Sequence, residues 1–598
     1  MSGTPHDTPP ETSPDTPPDT RGDTDSGVQD RTDPSVLSSS ALMAAGTVVS
    51  RLSGFVRGSL LVAALGQQLH ADVFTIANTV PNMLYILLAG GVFNAVLVPQ
   101  LVRAMKNDAD GGDAYTNRII TLAALFLAGV TAVLVLAAPL LMRLFLADGY
   151  FTPELATQRE SAIDFARYCL PQVFFYGMFV LVGQVLNARR SFGPMMWAPI
   201  ANNVVSVAVL TTYLVAYGRV HDLDRPGVDP SVLSGPESAV GGYTSGQELL
   251  LGLGSTLGIA VQLLILVPYL KRAGFTFRPR FDFRGTGLGH TLRLGIWTVL
   301  FVVVNQIAYT VVVKIASSGT ADAVRGAGTS GGEPGSGYTI YSNAFLLVMV
   351  PHAIATVSLA TAMLPRLAAS AADSDLAGVA RSVAATLRTA YALIIPFAVL
   401  LPVIAFDLSN TIFGYGAGGP SVPGFATSLA LFAPGLVFFT THYLMLRGFY
   451  ALERTRTVFW VQCVIAATNI VLAVALTRTA SPSGTAPGLV TAYAGAYLVG
   501  ALTSYALLRR VLGGLQTARL VRFLVRLLIA AGVATAVAWA AKQGLQQVWP
   551  RGGGQVQSIV VLGVTGLVDV AVFLTLARLT RISEVTGVMQ LVTGRLRR

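Results

Sequence analysis

Apolar stretches of about 20 residues, enough to cross a bilayer as a helix, follow one another from residue 38 to about residue 578 of this 598-residue chain. Hydropathy predicts six spans near 39–64, 72–99, 119–146, 163–187, 195–217 and 249–270. Eight more are predicted near 290–316, 338–364, 384–406, 426–449, 457–477, 486–508, 521–541 and 557–577. The connections are too short for a large soluble domain. The expected fold class is therefore an all-α polytopic membrane protein with about 14 transmembrane helices.

The pattern repeats. Val98-Pro99-Gln100-Leu101 ends the second span and Leu364-Pro365-Arg366-Leu367 ends the eighth, 266 residues later. Arg190 and Arg456 are separated by the same 266 residues, as are Asn203 and Asn469. Spans one to six and seven to twelve then form homologous halves. Because six is even, both halves cross the membrane in the same sense, as parallel repeats about an axis along the membrane normal. The expected architecture is two six-helix lobes around a central cavity, with two extra C-terminal helices. The corresponding divisions are an N-lobe at 38–285, a C-lobe at 286–512, and the last two helices with a cytoplasmic C-terminus at 513–598. Residues 1–37, rich in Pro, Thr, Asp and Ser, bury too little apolar surface to fold and predict a disordered cytoplasmic tail. That tail lacks the basic start and apolar core of a secretory signal, so the first span is expected to be retained.

Composition agrees with this class. The chain is 53% hydrophobic and 12% charged, with a mean hydropathy of +0.62, whereas soluble domains are about a quarter charged. The net charge of +11 divides unevenly. Residues 1–35 carry seven Asp and one Glu against Arg21 and Arg31, or −6, which leaves +17 for the rest. In a polytopic chain such an excess follows the positive-inside rule rather than nucleic-acid binding. With a cytoplasmic N-terminus, 27 Lys and Arg fall on inner connections and 9 on outer ones, which places both termini in the cytoplasm. Cys169 and Cys463 lie in or beside apolar stretches and are expected to pack as small hydrophobes, without a disulfide framework or metal cluster.

The candidate chemistry sits in the first span, at Ser50-Arg51-Leu52-Ser53-Gly54-Phe55-Val56-Arg57. An arginine inside a spanning helix costs roughly 2.5 to 3.5 kcal/mol on insertion scales, so it faces a watery cavity or a partner. Arg51 and Arg57 are six residues apart, about 9 Å along a helix and about 120° around it. With Gly54 and Gly58 they make a wide polar sector with room for a bulky group. Guanidinium stays charged and binds pyrophosphate or carboxylate bidentately. The alternative is a buried ion pair, but no acidic residue is expected in the central part of any span. Asp72 and Asp407, near helix ends, are the nearest candidates. Lys314, near the end of the seventh span, fits interface anchoring or cavity lining equally well. Asn82, Asn94 and Asn343 belong to a set of amides in apolar surroundings, for which interhelical hydrogen bonding is the plainer explanation and substrate binding the sharper one.

The run Phe275-Thr276-Phe277-Arg278-Pro279-Arg280-Phe281-Asp282-Phe283-Arg284 interleaves rings and guanidinia and suits a lipid interface on a cytoplasmic loop. None of the four lysines follows a glycine as a Walker loop requires, and there is no HExxH motif. An enzyme is not expected.

Several of these segments together resemble the MurJ/MviN family of lipid II flippases, within the superfamily of multidrug and polysaccharide exporters. The resemblance is carried by Ser50-Arg51 to Arg57, Ala71-Asp72-Val73-Phe74, and Pro81-Asn82 through Gly90-Gly91-Val92-Phe93 to Val98-Pro99. It continues in Leu186-Asn187-Ala188-Arg189 to Ala198-Pro199-Ile200, Val350-Pro351 to Leu364-Pro365, and Arg447-Gly448-Phe449-Tyr450-Ala451-Leu452. It covers roughly residues 38 to 580. It implies an arginine-lined cavity for the pyrophosphate and head group of lipid II, in which Arg51, Arg57 and Asp72 match family positions; Asn82, Asn94 and Asn343 join them as candidate substrate-binding residues. It also implies a groove for the polyprenyl tail at the last two helices.

This chain departs from the family pattern in places. Tyr85 and Ile86 stand where many members have basic residues, and Gly90 and Gly58 replace acidic ones. The eighth-span arginine is missing near Asn343, and the sodium-site carboxylates of the seventh and eleventh helices are absent.

The function so implied is movement of lipid II from the inner to the outer leaflet of the bacterial plasma membrane, by alternating access. No cofactor is expected, and coupling is assigned to the membrane potential or an unidentified ion. The expected partners are lipid II, membrane lipids and cell-wall synthesis proteins, with no nucleic acid. The alternatives are export of another polyprenyl-linked glycan, export of organic cations, which would want a cavity carboxylate, and a non-transporting scaffold of envelope synthesis.

Overall fold

The computed structural model describes residues 34–87, 112–189, 191, 193–220, 241–282, 288–326, 335–550 and 554–586. Asn94 and residues 1–33 of the expected tail lie outside them. Every regular element among the described residues is helical. In lipid this follows from backbone chemistry, because a helix satisfies its own N–H and C=O groups where no water can.

The N-lobe comprises α1 (Pro34–Leu65), α2 (Leu69–Tyr85), α3 (Asp113–Leu136), α4 (Gln172–Ala188), α5 (Gly193–Tyr217) and α6 (Ser245–Leu264). The C-lobe comprises α7 (Leu288–Gly326), α8 (Tyr338–Pro351), α9 (Leu376–Phe413), α10 (Val422–Ala451), α11 (Thr455–Thr477) and α12 (Thr485–Val511). The chain closes with α13 (Thr517–Val548) and α14 (Gly554–Leu579). Twelve helical stretches among the described residues are long and apolar enough to cross a membrane, and they correspond to the third through fourteenth predicted spans. The first two predicted spans are α1 and the described part of α2.

The two lobes repeat the same packing. In the N-lobe α1 packs on α5, α5 on α6, α4 on α6, α2 on α4, and α3 on α4. Six helices later, α7 packs on α11, α11 on α12, α10 on α12, α8 on α10, and α9 on α10. The local backbone repeats too. A π turn opens at Ile86 after α2, and another runs over His352–Thr356 after α8, their first residues 266 apart. A π turn locally widens a helix and marks a bend, so the repeat extends to an irregularity.

The hydrophobic cores show where the lobes meet. At the end of the bundle where α1 finishes and α2 and α8 begin, one core joins both lobes, through Val62, Leu69, Val73, Tyr338, Leu401 and Phe425. Toward the end that bears the chain termini, the N-lobe has its own core around Ile120, Leu186, Leu270 and Phe275. The C-lobe has another there, around Leu367, Val383, Phe449 and Leu508. The lobes are thus fused at the far end and packed separately at the terminus-bearing end.

The last two helices pack against each other and on α9. Lys542 of α13 reaches Asp407 of α9 at 2.5 Å, with both side chains buried, and also donates to the Val403 carbonyl. Asn410 donates to Ser558 at 2.8 Å. At the opposite end Arg388 of α9 donates to Glu584 at 2.9 Å and to Gln516 at 3.3 Å. The hairpin is therefore strapped to α9 at both ends.

One expectation is corrected here. Asp569 stands well inside α14, buried, accepting a hydrogen bond from Thr535 of α13 at 3.1 Å. The apolar residues on either side, Val568 and Val570, keep the stretch so hydrophobic that the carboxylate does not interrupt it.

Residues 275–282 run alongside the start of α3. The Arg278 and Arg280 amides donate to Asn117 and Thr121 at 2.7 and 3.0 Å, and Arg118 pairs with Asp282 at 2.5 Å. Phe275 is buried, while Phe277 and Phe281 are exposed.

Candidate functional site

A cavity of about 840 Å³ lies between the lobes, lined by α1, α2, α4, α5 and α6 on one side and α7, α8, α10, α11 and α12 on the other. Arg51 and Arg57 both line it. Their helix is held by Asn203 of α5, which also lines the cavity and donates its Nδ2 to the Ser50 carbonyl at 3.0 Å and to the Ser53 hydroxyl at 2.8 Å. Ser53 in turn donates to the Ser50 carbonyl at 2.9 Å. Two bonds at one turn fix the rotation of α1, and with it the direction of the guanidinia. Gly54 and Gly58 also line the cavity, and a Cβ on Gly58 would meet nothing within 4 Å. That space is open to a ligand.

Among the described residues neither arginine has a carboxylate within ion-pair distance. Both carboxylates considered as partners are engaged elsewhere, Asp407 with Lys542 and Asp72 with the start of α8. No Asp or Glu lines the cavity among the described residues. Two fixed cations facing a carboxylate-free space form an anion site, because guanidinium offers several charge-assisted donors to a phosphate or carboxylate group.

The remaining candidates separate. Asn82 lines the cavity and is exposed to it, and Asn343 lines it from the C-lobe. Lys314 does not line it; its ammonium pairs with Asp148 at 3.1 Å, the lysine partly and the aspartate almost fully exposed. Asp72 does not line it either. It is fully buried and accepts from the Thr320 hydroxyl at 2.7 Å and from the Tyr338 and Thr339 amides at 3.1 and 2.7 Å. The carboxylate of the N-lobe thereby caps the first turn of α8 in the C-lobe, where orphan amides and the helix dipole both favour negative charge. Asp72 and Tyr338 are 266 residues apart, so the repeat-related starts of α2 and α8 meet each other at the pseudo-twofold axis. Tyr338 adds hydrogen bonds to Tyr309 and Thr79. Gly337 permits this approach, since a Cβ there would collide with the Asp72 carboxylate.

Sequence reasoning named Asn343 among the candidates but did not single out the Asn203 brace. The Nδ2 of Asn343 and the Oδ1 of Asn469 are both buried without a hydrogen-bond partner within the protein. The pairing of Asn203 with Asn469 in the repeat was the available signal, but it could not say that one is bonded and the other is not.

A repeated pair of six-helix lobes around a central cavity, sealed at one end, defines a membrane transporter. Comparison with known proteins narrows the class. The family model "Lipid II flippase MurJ" matches residues 61–553, and the chain belongs to that family. A probable lipid II flippase MurJ of Rhizobium tropici is 26% identical over 432 residues, covering 72% of this chain and 73% of the relative. The lipid II flippase MurJ of Burkholderia cenocepacia is 26% identical, covering 69% and 72%. In architecture the chain is similar to a solved lipid II flippase MurJ in an inward closed conformation, with TM-score 0.65 and 16% identity over 90% of this chain and 99% of that one. An inward-facing multidrug resistance MATE family transporter shares the fold at TM-score 0.56 and 15% identity, over 77% and 95%.

Proposed function

We propose that this protein moves lipid II from the inner to the outer leaflet of the bacterial plasma membrane by alternating access, without catalysing a reaction. The observation that carries the reading is the cavity: two arginines, fixed by Asn203, face a carboxylate-free space between lobes of a flippase family. Their charge complements a pyrophosphate, and organic cation export loses support for the same reason. The excess of 27 Lys and Arg over 9 supports cytoplasmic termini. In that orientation the Asp72 seal is on the outer side and the separated ends of the lobes face the cytoplasm. Arg51 and Arg57 capture the pyrophosphate from inside, the lobes rock, the Asp72 cap releases α8, and the head group leaves outward. The strapped α13–α14 hairpin moves with α9 and takes the polyprenyl tail.

Coupling needs no cofactor in this scheme. An empty carrier with two net cavity charges is drawn inward by an inside-negative potential, at about 2.3 kcal/mol per charge per 100 mV for full transit. A bound dianion cancels that bias.

The test uses cells in which this chain is the sole flippase. Changing both Arg51→Ala and Arg57→Ala should make lipid II accumulate on the inner leaflet, as depletion does. Undiminished flipping by the double variant would remove the cavity assignment. Depletion that mislocalises cell-wall synthesis proteins without accumulation of lipid II would favour the scaffold reading.

A further inference from the structure

The two walls of the cavity differ in kind. Both of its cations among the described residues, Arg51 and Arg57, stand on α1. The C-lobe wall is built instead from aromatic rings and neutral polar side chains. Phe345 of α8, Phe439 of α10, and Tyr493 and Tyr497 of α12 all line it. These four form one chain of ring contacts: Phe345 meets Tyr493 at 5.6 Å between centroids, Tyr493 meets Tyr497 at 4.5 Å, and Tyr497 meets Phe439 at 5.1 Å. Tyr493 is buried, whereas Phe345, Phe439 and Tyr497 each keep part of their surface exposed. Phe439 is also held from its edge, by His352 at 4.7 Å in the π turn that follows α8. A 2.9 Å hydrogen bond between the His352 Nδ1 and the Thr440 hydroxyl fixes that support. The fold itself does not demand the rings. At the positions 266 residues before Phe345 and Phe439 stand Thr79 and Val173, and the N-lobe packs its helices in the same order without them.

Aromatic faces are apolar and carry the negative side of the ring quadrupole. On the same wall Asn305 and Ser342, both partly exposed, add neutral hydrogen-bonding groups. A pyranose ring is built to match: its faces present polarised C–H bonds, and its rim carries hydroxyls. The other occupants fit less well. An aliphatic chain would desolvate the polar groups without replacing their hydrogen bonds, and an organic cation, which ring faces also attract, would be repelled by the two arginines. We propose that Phe345, Phe439 and Tyr497 form a sugar platform, so that the C-lobe wall binds the pyranose rings of the head group while the arginines of α1 hold the pyrophosphate. The inference rests on the flippase reading above and gives the glycan its own place in the cavity.

The test uses the purified full-length protein and two lipids with the same tail: undecaprenyl pyrophosphate, and the same lipid carrying two N-acetylglucosamine units and no peptide, which adds pyranose rings but no charge. The wild type should bind the glycosylated lipid more tightly by about tenfold. Phe439→Leu combined with Tyr497→Leu keeps apolar bulk and removes the ring faces, and should bring the two affinities within about twofold of each other. Undecaprenyl pyrophosphate should bind the double variant as it binds the wild type, which also verifies folding. Tyr497→Phe retains the ring and should retain the preference. If the double variant does not bind undecaprenyl pyrophosphate, the single Leu variants carry the comparison, each expected to lose about threefold of the preference. Equal affinity of the wild type for the two lipids would overturn this inference alone, and so would a preference unmoved by the Leu substitutions. Failure of the wild type to bind either lipid would overturn the flippase reading and this inference with it.

Discussion

Asn203 and Asn469 occupy the same place in two repeats, and the lobes use them differently. In the N-lobe the carboxamide is bonded to α1 and aims two arginines into the cavity. In the C-lobe the equivalent residue also lines the cavity but its Oδ1 is buried without a partner in the protein, and no cation among the described residues accompanies it. A duplicated fold thus holds an asymmetric site. The common scaffold supplies two lobes that can rock, and divergence at matched positions supplies one charged wall and one neutral wall. The lobes differ outside the cavity as well, since only the C-lobe carries the strapped α13–α14 hairpin.

The largest expected effect comes from making the N-lobe wall neutral like its counterpart. Arg51→Gln with Arg57→Gln keeps hydrogen-bonding side chains but removes both charges. Each charged hydrogen-bonding group contributes about 1.5–3 kcal/mol, so the pair should weaken lipid II binding by roughly a hundredfold to ten-thousandfold. Titration of the purified variant with lipid II checks this, and a loss below threefold would contradict the charged-wall assignment.

Next is the strap. Lys542→Ala leaves Asp407 buried and uncompensated, which costs about 3–5 kcal/mol. It should lower the thermal midpoint in detergent. Lys542→Met combined with Asp407→Leu should recover most of that loss, because a well-packed apolar pair replaces a buried ion pair at little cost. No recovery would mean that the hairpin depends on the charges themselves.

Much of this arrangement was legible in the sequence. Spans can be read because bilayer thickness fixes their length and apolar composition, and the repeat because 266 recurs at Pro99, Arg190 and Asn203. The arginines stood out because their cost in an apolar helix is high. The seal and the strap were less legible, because they are made by residues distant in sequence: Asp72 with Tyr338, Asp407 with Lys542. Residue type alone marked Asp72 and Asp407 as partners for an arginine. Only the packing shows that one caps a helix and the other holds a lysine. Asn82, Asn203 and Asn343 likewise look the same in a hydropathy profile and all line the cavity, but only the structure shows that Asn203 is bonded to α1.

The seal joins the two lobes at the axis, so weakening it tests whether they move apart there. Asp72→Asn removes the charge from the α8 cap, and Gly337→Ala pushes a methyl group into the same carboxylate. Loss of a helix cap costs about 0.5–2 kcal/mol, which should raise the population open at the far end severalfold. Labelling of a cysteine placed near Tyr309, in a variant lacking Cys169 and Cys463, reads that population from the outer side. Unchanged labelling in both variants would mean that the shared core, rather than the cap, keeps that end shut.

The smallest expected effect bears most directly on the asymmetry. Asn203→Leu and Asn469→Leu make the same change at matched positions, yet they should act on different properties. The first removes two interhelical hydrogen bonds, and measured values for such bonds in membranes average about 0.6 kcal/mol. It should therefore lower stability by about 1 kcal/mol and weaken binding of every pyrophosphate lipid through the loosened α1. The second removes an oxygen with no partner in the protein, so stability should hold or rise slightly and binding should stay as it is. Thermal unfolding measured beside lipid binding separates the two. If both substitutions lowered stability and lipid binding equally, Asn469 would be a brace like Asn203, and the lobes would be alike where they are here assigned different work.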